Sequence, residues 1–242
     1  MLGAAMVAFQ VSIGTVNDLN DAERDRGHKL AKPLPAGLVE RRTAIILAVA
    51  GLLVGLGLSA VAGPWVLAVA VAGVLSGYVY DLRLKGTAWS WLPFAIGLPL
   101  LPVYAWVGAS GRVPAAFAIL IPVAIAAGGA VALLNGLVDI ERDRAAGVVT
   151  AAVRLGPRRA RAAAAGLLAL IAIVVAGSLL AIGAGVGAWA VAGLGVAFTA
   201  AGAVAVGDRS SARRERGWEA GAVGLALLAA GWAIGFAERG LL

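Results

Sequence analysis

Hydrophobic residues gather along the chain into eight long runs, roughly 1–17, 43–62, 65–80, 89–108, 115–137, 162–182, 187–206 and 218–237. Crossing the hydrocarbon core of a bilayer as an α-helix takes ~20 apolar residues, and each run approaches that length. The polar links between the runs alternate in kind. Segments 18–42, 81–88, 138–161 and 207–217 are long or charged, whereas Gly63-Pro64, 109–114 and 183–186 are short and rich in Gly, Pro or Ala. The pattern predicts an all-α, polytopic membrane helix bundle with about eight transmembrane helices, all long links lying on one face.

Composition sharpens this reading. Of the 242 residues 61% are hydrophobic and 14% charged, and the mean hydropathy is +0.93. A soluble domain is about half apolar and about a quarter charged, and disorder requires low hydrophobicity with high charge. Both classes are excluded. With no cysteine in the chain, disulfides, thiolate metal sites and cysteine nucleophiles are excluded too. The opening residues Met1–Gly14 lack a basic region and a cleavage signal, so they are expected to remain as a helix rather than serve as a signal peptide.

The formal charge of +7 takes its meaning from where the charges lie. Every Lys and Arg except Arg112 and Arg239 falls on the long-link face, which by the positive-inside rule is cytoplasmic. The basic charge is therefore a topology signal and no nucleic-acid surface is expected. The chain is expected to be integral to the cell membrane, multi-pass, with both termini outside. Every acidic residue except Glu238 shares the cytoplasmic face. Acidic residues contribute little to topology, so their clustering needs another cause. Glycines such as Gly51 and Gly55 are spaced for close helix contact.

The cause lies in a repeat. Residues 17–26 (Asn-Asp-Leu-Asn-Asp-Ala-Glu-Arg-Asp-Arg) align without gaps onto residues 135–144 (Asn-Gly-Leu-Val-Asp-Ile-Glu-Arg-Asp-Arg), with seven of ten positions identical. Both segments follow an apolar run and four crossings separate them, which predicts a parallel internal repeat. The chain is accordingly expected to be one integral membrane domain, 1–242, with pseudo-repeat halves of roughly 1–114 and 115–242. Residues i and i+4 share a helix face. Asn17, Asp21 and Asp25 should form one stripe, with Asp18 beside it, and Asn135, Asp139 and Asp143 its counterpart. Carboxylates at that spacing repel, so a cation should offset them. Oxygen donors without His or Cys select Mg²⁺ or Mn²⁺ rather than zinc, and Mg²⁺ commonly joins a few carboxylates to substrate phosphates. Two such stripes are expected to clamp a diphosphate through metal ions.

On these residues the chain resembles the UbiA-type superfamily of intramembrane prenyltransferases, the 4-hydroxybenzoate polyprenyltransferase-like proteins. The first family motif is complete as Asn17, Asp18, Asp21 and Asp25 and runs on into Lys32-Pro33-Leu34-Pro35-Ala36-Gly37. The second is represented by Asp139, Asp143, Gly147, Thr150, Arg154 and Gly156, and Tyr78 through Lys85 resembles the family's Tyr…Leu-Lys loop segment. Gly136 stands where many members carry a second aspartate. The family places its first motif after the second helix, so the resemblance also implies that the family's first helix is missing here.

The resemblance implies Mg²⁺-dependent transfer of a prenyl group from a polyprenyl diphosphate to an aromatic or other lipophilic acceptor, with release of diphosphate. Metal ligands would be Asn17, Asp18, Asp21, Asp25, Asn135, Asp139 and Asp143. Basic partners for the diphosphate would be Lys85, then Lys32, Arg26, Arg144 and Arg154. Lys85 and Tyr80 are the candidates for catalytic roles, Tyr80 by orienting or deprotonating the acceptor. His28, the single histidine, is expected to be solvated, and the Arg209–Arg216 run to set topology or meet anionic lipids. The alternatives are phosphoribosyl transfer to a polyprenyl phosphate, or a non-enzymatic transporter or cation-binding membrane protein. A transporter site should sit near the midplane on broken helices, whereas these aspartates sit at the cytoplasmic helix ends.

Overall fold

Small residues recur at spacings of four and seven on the second apolar run, at Ala44, Ala48, Gly55 and Ser59, while Ile45, Ile46, Leu53 and Val54 lie between them. On a helix this puts a smooth stripe on one side and bulk on the other. Lipid tails are as apolar as leucine, so membrane helices associate by close packing through small residues. In a computed structural model of the chain, the four small residues are buried and the four large ones exposed. The structure describes residues 1–25 and 32–242, the side chains of Arg24 and Asp25 excepted.

Among the described residues the chain forms ten α-helices and one π-helical turn. They are α1 (Leu2–Asp25), α2 (Arg41–Ala62), α3 (Pro64–Val79), the π-turn (Tyr80–Leu84), α4 (Leu92–Ser110), α5 (Phe117–Val138), α6 (Ile140–Ala145), α7 (Ala151–Leu155), α8 (Pro157–Ala181), α9 (Val186–Ala205) and α10 (Ser211–Glu238). Among the described residues eight stretches are long and apolar enough to span a membrane, α3 counting together with the π-turn. The chain is thus an integral, multi-pass helical membrane protein. Several helices run past their apolar stretches on the charged side. The first stops being apolar near residue 17 yet stays helical to Asp25, and α8 and α10 begin several residues before theirs.

Two abrupt helix starts share one device. Gly63 (φ 133°) precedes Pro64 at the start of α3, and Gly156 (φ 78°) precedes Pro157 at the start of α8. Each glycine takes a backbone conformation that a Cβ would oppose, and each proline occupies a position whose N–H has no helical partner to lose.

The helices divide into two compact units, Met1–Lys85 with Leu100–Val113, and Gly86–Pro99 with Pro114–Leu242. In the first, α1 lies against α2 so closely that a Cβ on Gly51 would come within 2.6 Å of the Ala8 carbonyl oxygen. Ser12 Oγ donates to the Ala48 carbonyl (2.5 Å) and lies 2.7 Å from Tyr78 Oη. Ser59 Oγ, itself donating to the Gly55 carbonyl, lies 2.9 Å from Tyr104 Oη. Ala5, Phe9, Val66, Ala70, Val74 and Tyr104 form the core of this unit.

In the second unit α9 and α10 pack on glycines from both sides. A Cβ on Gly202 would lie 2.6 Å from the Gly217 carbonyl oxygen, and one on Gly224 would lie 2.5 Å from the Thr199 nitrogen. The obstacles are backbone atoms and cannot swing aside. Gly224→Val is therefore expected to force the two helices apart, costing at least about 1–3 kcal/mol. Thermal melting in detergent should show a clear loss relative to Gly193→Ala, where nothing crowds the new Cβ.

Candidate functional site

The first aspartate motif occupies the last two turns of α1. Because the helix continues to Asp25, Asn17 and Asp21 fall one turn apart on the same face, and both meet one cation. The Lys85 ammonium donates to Asn17 Oδ1 and to Asp21 Oδ2. Asp21 is only 6% exposed, and Lys85 is its ion-pair partner. Asp18 is paired with Lys32 at 2.8 Å, both side chains about a quarter exposed. The sequence-stripe argument for residues 17 and 21 therefore holds in three dimensions. Asp25 ends the helix with its side chain outside the described residues, and Arg26 and His28 lie outside them altogether.

Lys85 reaches this face through the π-turn, closed by its own amide donating to the Tyr80 carbonyl (2.7 Å). Single π-turns within helices occur frequently at functional sites. The turn also buries a carboxylate that sequence reasoning passed over. Asp81 is 4% exposed, its Oδ2 has no hydrogen-bond partner among the described residues, and its carbonyl accepts from Asn20 Nδ2 at 2.8 Å. A single acidic residue within Tyr-Val-Tyr-Asp-Leu-Arg-Leu-Lys looks no different from a solvated helix end, so its burial left no signal. Tyr80 is half-buried at the head of the turn.

The second motif is built differently, which corrects the expected uninterrupted stripe. α5 ends at Val138, Asp139 takes φ −111° and ψ 22°, and α6 restarts at Ile140. Asn135 thus belongs to one helix and Asp143 to the next, with Asp139 at the break. The Asp143 amide donates to the Asp139 carbonyl (2.9 Å), and the Val148 amide to the Asp143 carbonyl (2.9 Å). Gly147 then turns the chain at φ 71°. Thr150 caps α7 by accepting from the Val153 amide at 3.3 Å. Asn135, Asp139 and Asp143 are half-buried, and Arg144 and Arg154 are exposed. Gly136 faces Ala152, whose Cβ would lie 2.8 Å from one placed on the glycine. The room that an aspartate would need there is filled by a buried alanine.

Both sides of the break are gripped by a residue read from sequence as part of a topology or lipid-binding run. Arg214, in the first turn of α10, is 7% exposed and donates from Nε to the Val138 carbonyl at 3.0 Å. A side chain inserted into the helix ladder is a recognised cause of kinking. Its Nη2 pairs with Glu141 Oε2 at 2.5 Å. Arg213, by contrast, is exposed and pairs with Asp208 at 3.1 Å.

The donors of both motifs are oxygens. Among the described residues no three His, Asp or Glu side chains group into a protein-only metal cage. Oxygen donors suit Mg²⁺, which keeps several waters and takes one or two carboxylates with substrate phosphates. The buried, unpartnered Asp81 oxygen beside the first motif is a further hard donor of the same kind.

Residues 1–222 match the UbiA prenyltransferase family. The chain is 29% identical over 181 residues to the chloroplastic chlorophyll synthase of Oryza sativa subsp. japonica, covering 70% of this chain and 48% of that protein. It is 31% identical over 158 residues to the digeranylgeranylglyceryl phosphate synthase of Methanopyrus kandleri, covering 63% and 57% respectively. The chain thus spans about half the length of the curated relatives it matches. A UbiA homolog from Aeropyrum pernix shares the fold with a TM-score of 0.73 at 20% identity, over 96% of this chain and 87% of that one. So does a UbiA homolog from Archaeoglobus fulgidus bound to GPP and Mg²⁺, with a TM-score of 0.70 at 20% identity, over 96% and 86%. With its eight membrane helices and its duplicated Asn/Asp motif, the chain belongs to the UbiA prenyltransferase family.

Proposed function

We propose that this chain transfers a prenyl group from a polyprenyl diphosphate to a lipophilic acceptor within the membrane, using Mg²⁺ and releasing diphosphate. The observation that carries the reading is the Lys85 ammonium shared between Asn17 and Asp21. One cation is held against two oxygen ligands at the end of a membrane helix, where a diphosphate headgroup would sit while its apolar tail stays among the helices. Family membership supplies the reaction class, and the relatives with chlorophyll and glyceryl phosphate products span two acceptor chemistries.

In the reaction the allylic carbon–oxygen bond breaks and its electron pair leaves with the diphosphate. The allylic cation is then captured by an acceptor nucleophile, which gives up a proton. Bound Mg²⁺ supplies positive charge to the leaving group. Asn17, Asp18, Asp21 and Asp25 from the first motif would hold it, as would Asn135, Asp139 and Asp143 from the second. Lys85 and Lys32, already poised on the first motif, would offset the carboxylates and receive the diphosphate oxygens. Arg26, Arg144 and Arg154 would bind the same group, and Tyr80 would orient the acceptor. Preorganised cations aimed at developing negative charge are commonly the largest contribution to catalysis. The positive-inside distribution of Lys and Arg supports a cytoplasmic position for both motifs.

The test uses membranes containing the chain, polyprenyl diphosphates of several lengths and a mixed acceptor panel. Diphosphate release is expected only with both an acceptor and Mg²⁺, to stop with EDTA and to return with excess Mg²⁺. Well-folded protein that releases no diphosphate from any prenyl donor, but turns over a phosphoribosyl donor with polyprenyl phosphate, would overturn the reading.

A further inference from the structure

We propose that Arg214 is a positioning residue for the second aspartate motif, holding the α5–α6 break so that Asn135 on α5 and the Asp139–Asp143 pair of α6 are presented together. The inference rests on the reading that these two aspartates bind Mg²⁺ and diphosphate.

A guanidinium has five N–H donors in a rigid fork and keeps its charge at any accessible pH. Charged side chains at membrane helix ends are costly to bury and seldom remain buried without full pairing. Arg214 is buried, and each of its three side-chain nitrogens has a partner. Nε donates to the Val138 carbonyl at 3.0 Å, and Nη2 pairs with Glu141 Oε2 at 2.5 Å. Nη1 reaches the carbonyls of Asp208 (3.2 Å) and Arg209 (3.3 Å), with Glu141 Oε1 at 3.5 Å. One side chain therefore fastens the last residue of α5, the first turn of α6 and the loop before α10.

The points it grips explain what it positions. Val138 and Glu141 bracket Asp139, the non-helical residue at the break. Asp143 follows Glu141 by two residues, and its amide is bonded back to the Asp139 carbonyl. That bond is the first of α6 and ties the two aspartates to each other, so what the junction sets is their placement relative to Asn135 on α5. Glu141 is exposed on most of its surface, its side chain 67% accessible. A simple need to neutralise a surface glutamate would not explain burying an arginine beneath it. Arg213, Arg209 and Arg216 of the same run are exposed, so burial singles out Arg214.

The experiment compares wild type with Arg214→Met, Arg214→Lys, Glu141→Gln and the exposed control Arg216→Met. Two readouts are taken: hydrogen–deuterium exchange of peptides covering 139–147, and the Mg²⁺ concentration for half-maximal diphosphate release. Arg214→Met is expected to speed exchange in that segment and to raise the Mg²⁺ requirement roughly 10–100-fold, the usual effect of removing a group that orients metal ligands. The donor KM should rise with it and the acceptor KM should not. Arg214→Lys should recover part of both effects, Glu141→Gln should show a smaller version, and Arg216→Met should match wild type. If Arg214→Met fails to fold, the lysine and Glu141→Gln variants carry the test. Exchange in 139–147 unchanged in these variants overturns the proposal, and so does lost turnover with an unshifted Mg²⁺ requirement, the sign of a merely structural tie. Wild type that exchanges as expected but shows no Mg²⁺-dependent release refutes the prenyltransferase reading instead, and the exchange data still decide what Arg214 holds.

Discussion

Asp21→Asn is expected to lower prenyl transfer by about 10²–10³-fold, the usual scale for removing one element of a preorganised electrostatic site. The protein should still insert into the membrane. Asparagine keeps the size of the side chain and one acceptor oxygen, so α1 can continue to Asp25 and the Lys85 ammonium keeps a neutral partner on either side. What disappears is negative charge at a position only 6% exposed. A metal bound there loses a hard anionic ligand. Assays of diphosphate release across a Mg²⁺ titration check this, and near-normal turnover in the variant would contradict the assigned role of the first motif.

Lys85→Met should cut turnover on the same scale but for the opposite reason, since it leaves Asp21 buried with no cation. Leaving a charged group without its partner costs about 1–3 kcal/mol or more, so this variant should also melt lower than Asp21→Asn. The double variant separates the two roles of the pair. With both charges gone, stability should return toward wild type, because the pair can be replaced by neutral groups without a stranded charge. Activity should not return. Melting curves and diphosphate release on the single and double variants together test this, and recovery of activity in the double variant would mean that the pair serves folding alone.

The architecture was largely written in hydropathy. Eight apolar runs became eight spans because a membrane helix must be apolar over the part that crosses the hydrocarbon core, a signal that needs no partner to be read. The Asn17 and Asp21 face was equally legible, since i,i+4 geometry depends only on a helix being present. The Gly51 and Gly55 contacts followed from the small-residue rule, and the structure places Ala8 and Phe9 against them. What stayed hidden depends on partners far along the chain. Arg214 meets Glu141 across 73 residues and Val138 across 76. No local pattern separates it from Arg213, which is solvated. The break at Asp139 was hidden for the same reason: its residues read as helix, and the side chain that grips both sides of it comes from α10. Asp81 gave no warning because burial of a carboxylate at a helix end is a property of the fold around it. Gly136 read as a lost ligand position, and its contact with Ala152 shows a packing role as well.

The π-turn at Tyr80–Leu84 makes segment length matter as much as residue identity. An α-helix advances about 100° per residue, and a π-turn absorbs one residue more than an α-turn. A sequence that closed Tyr80–Leu84 as ordinary helix with every residue kept would carry Lys85 around the axis by about a quarter of a revolution, away from Asn17 and Asp21. Loss of one codon between Tyr80 and Leu84 would do the reverse, because the Lys85 amide would meet the same Tyr80 carbonyl through an α-turn and the ammonium would stay near its partners. Natural variation in this segment should therefore admit a one-residue deletion more readily than an insertion.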